Sequence, residues 1–235
     1  MRPPRAADLG LTAAEVALLR RQSTPSKLQA FVNAIPINFE PDGDTCYSVR
    51  QVLRYRRAHC IEAALVAACA LWLNGEPPLV LDMRAEGDWD HVVALFRRNG
   101  LWGAIAKSNH VALRGRDPVY RTLRELVLSY FHEYHNEQGE RTLREYSRAF
   151  DLSTLPPELW VSGDGAWEVE RRIDLAPHYR LFPRTQQRYL TPIDAMQWRA
   201  KEITEYPPPR WLRQQQQQLS TTAAARAPAR RRSRG

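Results

Sequence analysis

Residues 57–75 read RAHCIEAALVAACALWLNG, and this stretch decides the fold. It is almost entirely apolar, with small alanines set among Leu, Val and Trp, which predicts a helix packed closely against a sheet. Asn74-Gly75 supplies a glycine C-cap, and Pro77-Pro78 prevents the helix from continuing. We therefore expect a buried helix whose first residue is Cys60.

Cys60 stands where a reactive thiol is favoured. The first turn of a helix carries unpaired backbone N–H groups and a partial positive charge. Both favour the thiolate, which is the nucleophilic form of cysteine. Cysteines inside apolar helices are more often buried and inert, and we expect that of Cys46 and Cys69. His59 either adds positive charge beside Cys60 or caps the preceding turn.

His91 opens a second apolar stretch, HVVALF, that leads into Asn99-Gly100. Asn-Gly between apolar runs is a strong signal for a two-residue β-hairpin turn. With that turn, His91 faces Ser108 and Asn109 lies one place on. A change of one residue in turn length would shift the partner to Lys107 or Asn109.

A nucleophile, a base and an orienting group are the parts that covalent acyl chemistry needs. Cys60 is the candidate nucleophile and His91 the candidate base. Asn109 and Ser108 are the candidates for the residue that orients the imidazole.

Four motifs resemble the transglutaminase-like superfamily, relatives of the papain-like cysteine peptidases. They are AHCIEAA at 58–64, DHVVALF at 90–96, WGAIAKSNH at 102–110 and RDPVY at 116–120. The resemblance spans about residues 25–150 and is nearest to a bacterial group of unassigned substrate.

This resemblance implies an α+β fold with a papain-like core, in which the Cys-bearing helix packs on a mostly antiparallel sheet. It also places Cys60 and His91 at the family's nucleophile and base. The family usually has an aspartate shortly after the tryptophan of the return strand, and this chain has none there. Because asparagine serves in papain-like relatives, Asn109 is the preferred third member, with Ser108 as its rival.

Composition limits the remaining possibilities. The chain has 235 residues with 43% hydrophobic side chains, enough for one globular domain. Three cysteines at irregular spacing favour a reducing compartment over a disulfide framework. The sequence shows no signal segment and no apolar run of about 18 residues, so we expect a cytoplasmic protein without a membrane span.

The chain divides by pattern into three parts. Residues 1–24 form an N-terminal arm and helix, 25–206 the transglutaminase-like domain with a C-terminal extension, and 207–235 a disordered basic tail. Five arginines after residue 213 carry most of the formal charge of +8. The tail can therefore bind nucleic acid weakly and without sequence preference.

Two further sequence patterns concern metal binding and the C-terminal part of the fold. His132 and His135 are three residues apart without a third ligand, which does not fit a zinc helix, and we expect no metal and no cofactor. Trp160 and the run WEVERRI from Trp167 predict a hairpin that turns at 163–165.

The sequence thus predicts a cysteine hydrolase or acyltransferase that acts on the carboxamide of a protein or peptide. Two other classes stay open. One is a catalytically inactive transglutaminase-like binding module, and the other is a nucleic-acid binder that acts through its tail.

Overall fold

The computed structural model describes residues 3–212. The chain divides into one compact unit over Met1–Glu205 and a second over Tyr206–Gly235. Of the basic tail predicted over residues 207–235, the part from 213 onward lies outside the described residues, and residues 210–212 are helical.

The first unit has an α+β architecture built on a seven-stranded sheet in which every pairing is antiparallel. The strand order is β4-β3-β2-β1-β5-β7, and β6 pairs with β1. The strands are β1 Leu79–Ala85, β2 His91–Arg98, β3 Leu101–Ile105, β4 Arg116–Tyr120, β5 Leu143–Ser147, β6 Phe150–Asp151 and β7 His178–Arg180. The α-helices are α1 Ala13–Arg20, α2 Pro25–Ala34, α3 Val49–Tyr55, α4 Cys60–Leu73, α5 Leu123–Phe131, α6 Trp167–Asp174 and α7 Ala195–Lys201.

Helix α4 is the centre of the larger core, as its composition predicted. It begins at Cys60 and lies against β1 and β2, with α1, α2 and α3 also packed on it. Five of its residues are alanines, and all five are at most 1% exposed. Short side chains let the helix axis approach the sheet, so this apolar stretch forms the interior of the domain.

Strand β2 divides its side chains between two cores. Val92, Ala94 and Phe96 belong to the cluster around α4, whereas Val93 and Leu95 belong to a second cluster that α5 covers. This alternation follows the two-residue period of a strand. It puts helices on both faces of the sheet and leaves the first residue of β2, His91, at the strand end nearest to Cys60.

The predicted Asn-Gly hairpin is confirmed. Arg98 pairs with Leu101, and the ladder continues to Ala94 opposite Ile105. Both turn residues have positive φ, 50° at Asn99 and 82° at Gly100, as a type I′ turn requires.

The hairpin predicted around residues 160–173 is wrong, because Trp167–Asp174 forms helix α6. Val169 and Ile173 are four residues apart and both buried, so they form the inner stripe of a helix. Among the described residues, no helix is both long enough and apolar enough to cross a membrane.

Candidate active site

Cys60 is the first residue of α4 and one of three free cysteines among the described residues. It is half-buried, whereas Cys46 and Cys69 are 2% and 0% exposed. Its Sγ lies 4.0 Å from the carbonyl oxygen of Asp90, which brings the start of α4 to the start of β2. The helix and the strand predicted to carry the reactive pair therefore meet at that point.

The surroundings of Cys60 favour the thiolate. Burial by itself would raise the pKa of this thiol, but hydrogen bonds with His59 and His91 and the positive charges of both rings outweigh it, so the pKa of Cys60 lies well below its ordinary value. Burial raises the pKa of Cys46 and of Cys69 far above the ordinary range. Of these three thiols, Cys60 is therefore the one whose surroundings favour ionisation, whereas burial opposes it at Cys46 and Cys69.

His91 is 5% exposed and held by a backbone carbonyl. Its Nε2 lies 3.0 Å from the oxygen of Leu113, and its ring meets that of Tyr130 edge-on at 6.3 Å between centroids. A carbonyl can only accept, so Nε2 must be the nitrogen that carries hydrogen. Nδ1 is then left for the sulfur, which is the orientation a general base for Cys60 needs.

His59 is the second imidazole at the sulfur. Its Nε2 lies 3.0 Å from the carbonyl oxygen of Thr45, 3.3 Å from Oε1 of Glu62 and 3.7 Å from Oε1 of Glu40. Burial would lower the pKa of His59, but the bond and charge of Cys60, the charge of Glu62 and the Thr45 carbonyl raise it to about 9. His59 is also the N-cap residue of α4, so both roles open to this residue, capping and added positive charge beside Cys60, remain.

Glu62 holds His59 and the segment at residues 45–47 in place through hydrogen bonds. It is fully buried at the third position of α4, and Oε1 accepts hydrogen bonds from the Thr45 hydroxyl and the Tyr47 N–H, both at 2.8 Å. Oε2 accepts from the His59 N–H at 2.9 Å and from the Asn38 amide at 3.2 Å. Sequence reasoning missed Glu62, although a glutamate three residues after a helix cap has the spacing of a capping box.

The strand register does not identify the residue that orients the His91 imidazole. β3 ends at Ile105, so the ladder does not extend to a pairing of His91 with Ser108. The Ser108 hydroxyl accepts a hydrogen bond from the His110 N–H at 3.1 Å, and the Asn109 carbonyl accepts from the Glu205 N–H at 3.0 Å.

The partner of the His91 Nε2 is instead the Leu113 carbonyl. A backbone carbonyl carries no side-chain signature, so sequence reasoning had no signal by which to find it. The roles of Asn109 and Ser108 stay predictions.

The loop before β2 forms one side of the site. Asp88 and Asp90 anchor this loop through hydrogen bonds. The Asp88 carboxylate accepts from the Thr142 hydroxyl at 2.8 Å, and the Asp90 carboxylate accepts from the Ala85 N–H at 2.9 Å. Trp89 between them is 84% exposed, and its carbonyl oxygen accepts a hydrogen bond from the Tyr134 hydroxyl. A large aromatic ring is therefore presented to solvent one residue from the backbone that contacts Cys60.

No protein-family model and no curated protein matches this chain. Among residues 3–212, no group of three or more His, Cys, Asp or Glu side chains is arranged to hold a metal ion.

Proposed function

We propose that this protein is a cysteine hydrolase or acyltransferase of the transglutaminase-like kind, which attacks a carboxamide through Cys60 and His91. The observation that carries the proposal is the half-buried thiol at the start of α4, 4.0 Å from the Asp90 carbonyl that precedes His91, with a pKa that His59 and His91 lower. A nucleophile-bearing helix packed on an antiparallel sheet also fits a papain-like core, which we include in the proposal.

The first half of the reaction forms a thioester. The Cys60 proton passes to Nδ1 of His91, and the thiolate adds to the carbonyl carbon of the substrate. The N–H groups in the first turn of α4 have no acceptor within the helix, so they can stabilise the oxyanion that forms. When this intermediate collapses, the C–N bond breaks and Nδ1 returns the proton to the leaving amine.

The second half releases the acyl group. Water or a primary amine attacks the thioester, His91 takes its proton, and Cys60 leaves as the thiolate. Water gives hydrolysis of the amide, and an amine gives a new amide bond. Both outcomes follow from the same residues, so the proposal covers both.

The imidazole of His91 must keep one orientation through both steps. The Leu113 carbonyl, 3.0 Å from Nε2, can hold the ring. Asn109, or Ser108 as its rival, is the side chain that the sequence assigns to this role. If either acts so, its replacement by alanine lowers turnover; if the carbonyl suffices, both variants retain it.

We assign a protein or peptide segment as the acyl donor. A carboxamide on an extended chain can reach a half-buried sulfur, and the exposed ring of Trp89 offers apolar contact beside it. Free thiols in the described part of the chain agree with a reducing compartment, and we place the protein in the cytoplasm.

The test is thiol labelling followed by acyl transfer. An ordinary thiol is less than about 1% ionised at pH 6. We therefore expect iodoacetamide to label Cys60 of the folded protein at least tenfold faster than Cys46 and Cys69, as read by peptide mass spectrometry. The same protein should join a fluorescent primary amine to a glutamine-containing peptide or hydrolyse that peptide's side-chain amide, and Cys60→Ala should do neither.

Two results would contradict the proposal. Equal, slow labelling of all three thiols would remove the nucleophile and favour the inactive binding module. Rapid labelling of Cys60, with no thioester mass on incubation with a panel of glutamine peptides, would remove the acyl chemistry.

A further inference from the structure

We propose that Cys60 is served by two imidazoles with separate tasks, in which His59 is a positioning residue that holds a permanent positive charge against the sulfur while His91 alone exchanges the proton. The inference rests on the proposed function, since it concerns the same thiol. A catalytic pair of one cysteine and one histidine has no residue with the task that we assign here to His59.

The contacts of His59 are those of a charged ring. Every group around Nε2 is an acceptor, namely the Thr45 carbonyl at 3.0 Å and the carboxylates of Glu62 and Glu40 at 3.3 and 3.7 Å. Nε2 must therefore carry hydrogen. A second proton, on Nδ1, gives the imidazolium, and the charge of Cys60 favours that form.

The charged groups around His59 also favour its protonated form. The ring faces Glu62 on its own helix, Glu40 on the segment before α3 and, at longer range, Glu170 on α6, which the charge of His59 influences. Cys60 itself, a thiolate when ionised, is a further titratable neighbour. Several negative groups around one partly buried imidazole favour its protonated form.

His91 lies in a different environment. Its Nε2 contacts the neutral Leu113 carbonyl, and the edge of the Tyr130 ring packs against it. Neither contact holds a positive charge as a buried carboxylate does. We assign to this ring the proton exchange that a general base and acid must perform.

Separate tasks remove a conflict that one histidine would face. A single imidazole that stabilises the thiolate is itself protonated, and it loses that stabilising charge whenever it gives the proton to the leaving amine. When His59 carries a charge that Glu62 and Glu40 support, the sulfur remains a good leaving group while a neutral His91 activates the attacking water or amine.

The experiment compares the pH dependence of Cys60 alkylation in the wild type, His59→Gln and His91→Ala. Glutamine places an amide nitrogen near the position of Nε2, so it can still donate to Thr45 without carrying charge. We expect His59→Gln to raise the midpoint of the alkylation profile by at least one pH unit, which lowers the rate about tenfold at pH values below both midpoints. We expect His91→Ala to abolish acyl transfer, because it removes the group that exchanges the proton.

A charge-restoring variant separates charge from packing. His59→Lys should return the midpoint toward the wild-type value, because an ammonium group can donate to the same acceptors. An unchanged midpoint in His59→Gln overturns the inference while leaving the proposed function standing. Slow labelling of wild-type Cys60 overturns both.

A measurement on the unmodified chain covers the case in which the His59 variants do not fold. Imidazole ¹⁵N spectra of the wild type, assigned with His91→Ala, should show His59 doubly protonated up to about pH 8, since its pKa is about 9. A neutral His59 at pH 7 would overturn the inference.

Discussion

Replacing Glu62 by glutamine should destabilise the protein far more than so small a chemical change suggests. All four hydrogen-bond partners of this carboxylate are donors, and two of them are the backbone N–H groups of Tyr47 and His59. A glutamine has only one acceptor oxygen, so its NH₂ group must face donors on one side. The Thr45 hydroxyl can rotate to accept from it, but a backbone N–H cannot.

The magnitude follows from those contacts. At least one backbone N–H is left buried and unpaired, which costs about 1–3 kcal/mol, and a charge-assisted bond is lost as well. We expect Glu62→Gln to lower the free energy of unfolding by about 2–4 kcal/mol. That is a large fraction of the total stability of an ordinary domain.

The assay is urea unfolding followed by far-UV circular dichroism, with Glu125→Gln as the matched control. Glu125 occupies the same third position of α5 and accepts from the Thr122 N–H, but it is exposed. Glutamine serves at that position of a capping box, so the control should change stability by less than about 0.5 kcal/mol. A loss below about 1 kcal/mol in Glu62→Gln would refute the claim that this buried carboxylate organises the segment beside Cys60.

Two further substitutions test the packing that supports the site. Gly103→Ala would place a methyl group 2.8 Å from Cε1 of Phe96, closer still to its Cζ, and 2.9 Å from the Arg116 carbonyl oxygen. We therefore expect the free energy of unfolding, measured by heat or urea, to fall by about 1–3 kcal/mol. An unchanged melting temperature would contradict this β3 contact. Trp160→Ala should cost about 3–5 kcal/mol, because this fully buried ring stacks on Trp72 at 5.8 Å. Trp160→Phe should lose less than half as much, since Nε1 has no hydrogen-bond partner in the described structure, and equal losses would contradict that account.

Sequence reasoning succeeded where short-range pattern decides the conformation. The start of α4 at Cys60, the turn at Asn99-Gly100 and the pairing of Arg98 with Leu101 were all predictable. Each depends on residues that are neighbours in the chain, such as a glycine with positive φ or a run of small apolar side chains. These local features also brought Cys60 and His91 into the same hypothesis.

Sequence reasoning failed where one stretch fitted both the two-residue alternation of a strand and the four-residue spacing of a helix. The run from Trp167 alternates apolar and acidic residues, which predicted a strand, yet Val169 and Ile173 also stand four apart. In α6 they bury one face, and Glu168 pairs with Arg171 and Arg172 at helical spacing, at 2.9 and 2.6 Å. Burial against the rest of the domain, rather than local preference, selected the helix.

Local sequence patterns were enough to predict that a cysteine begins a buried helix and that a histidine begins a neighbouring strand of a hairpin. Only the tertiary structure decided what holds the two imidazoles at Cys60, because those groups are largely backbone oxygens from distant segments. The Thr45 carbonyl reaches His59 and the Leu113 carbonyl reaches His91, each across more than a dozen residues of chain. Every residue type carries the same carbonyl, so its position is set by how the chain folds and leaves no mark in the order of side chains.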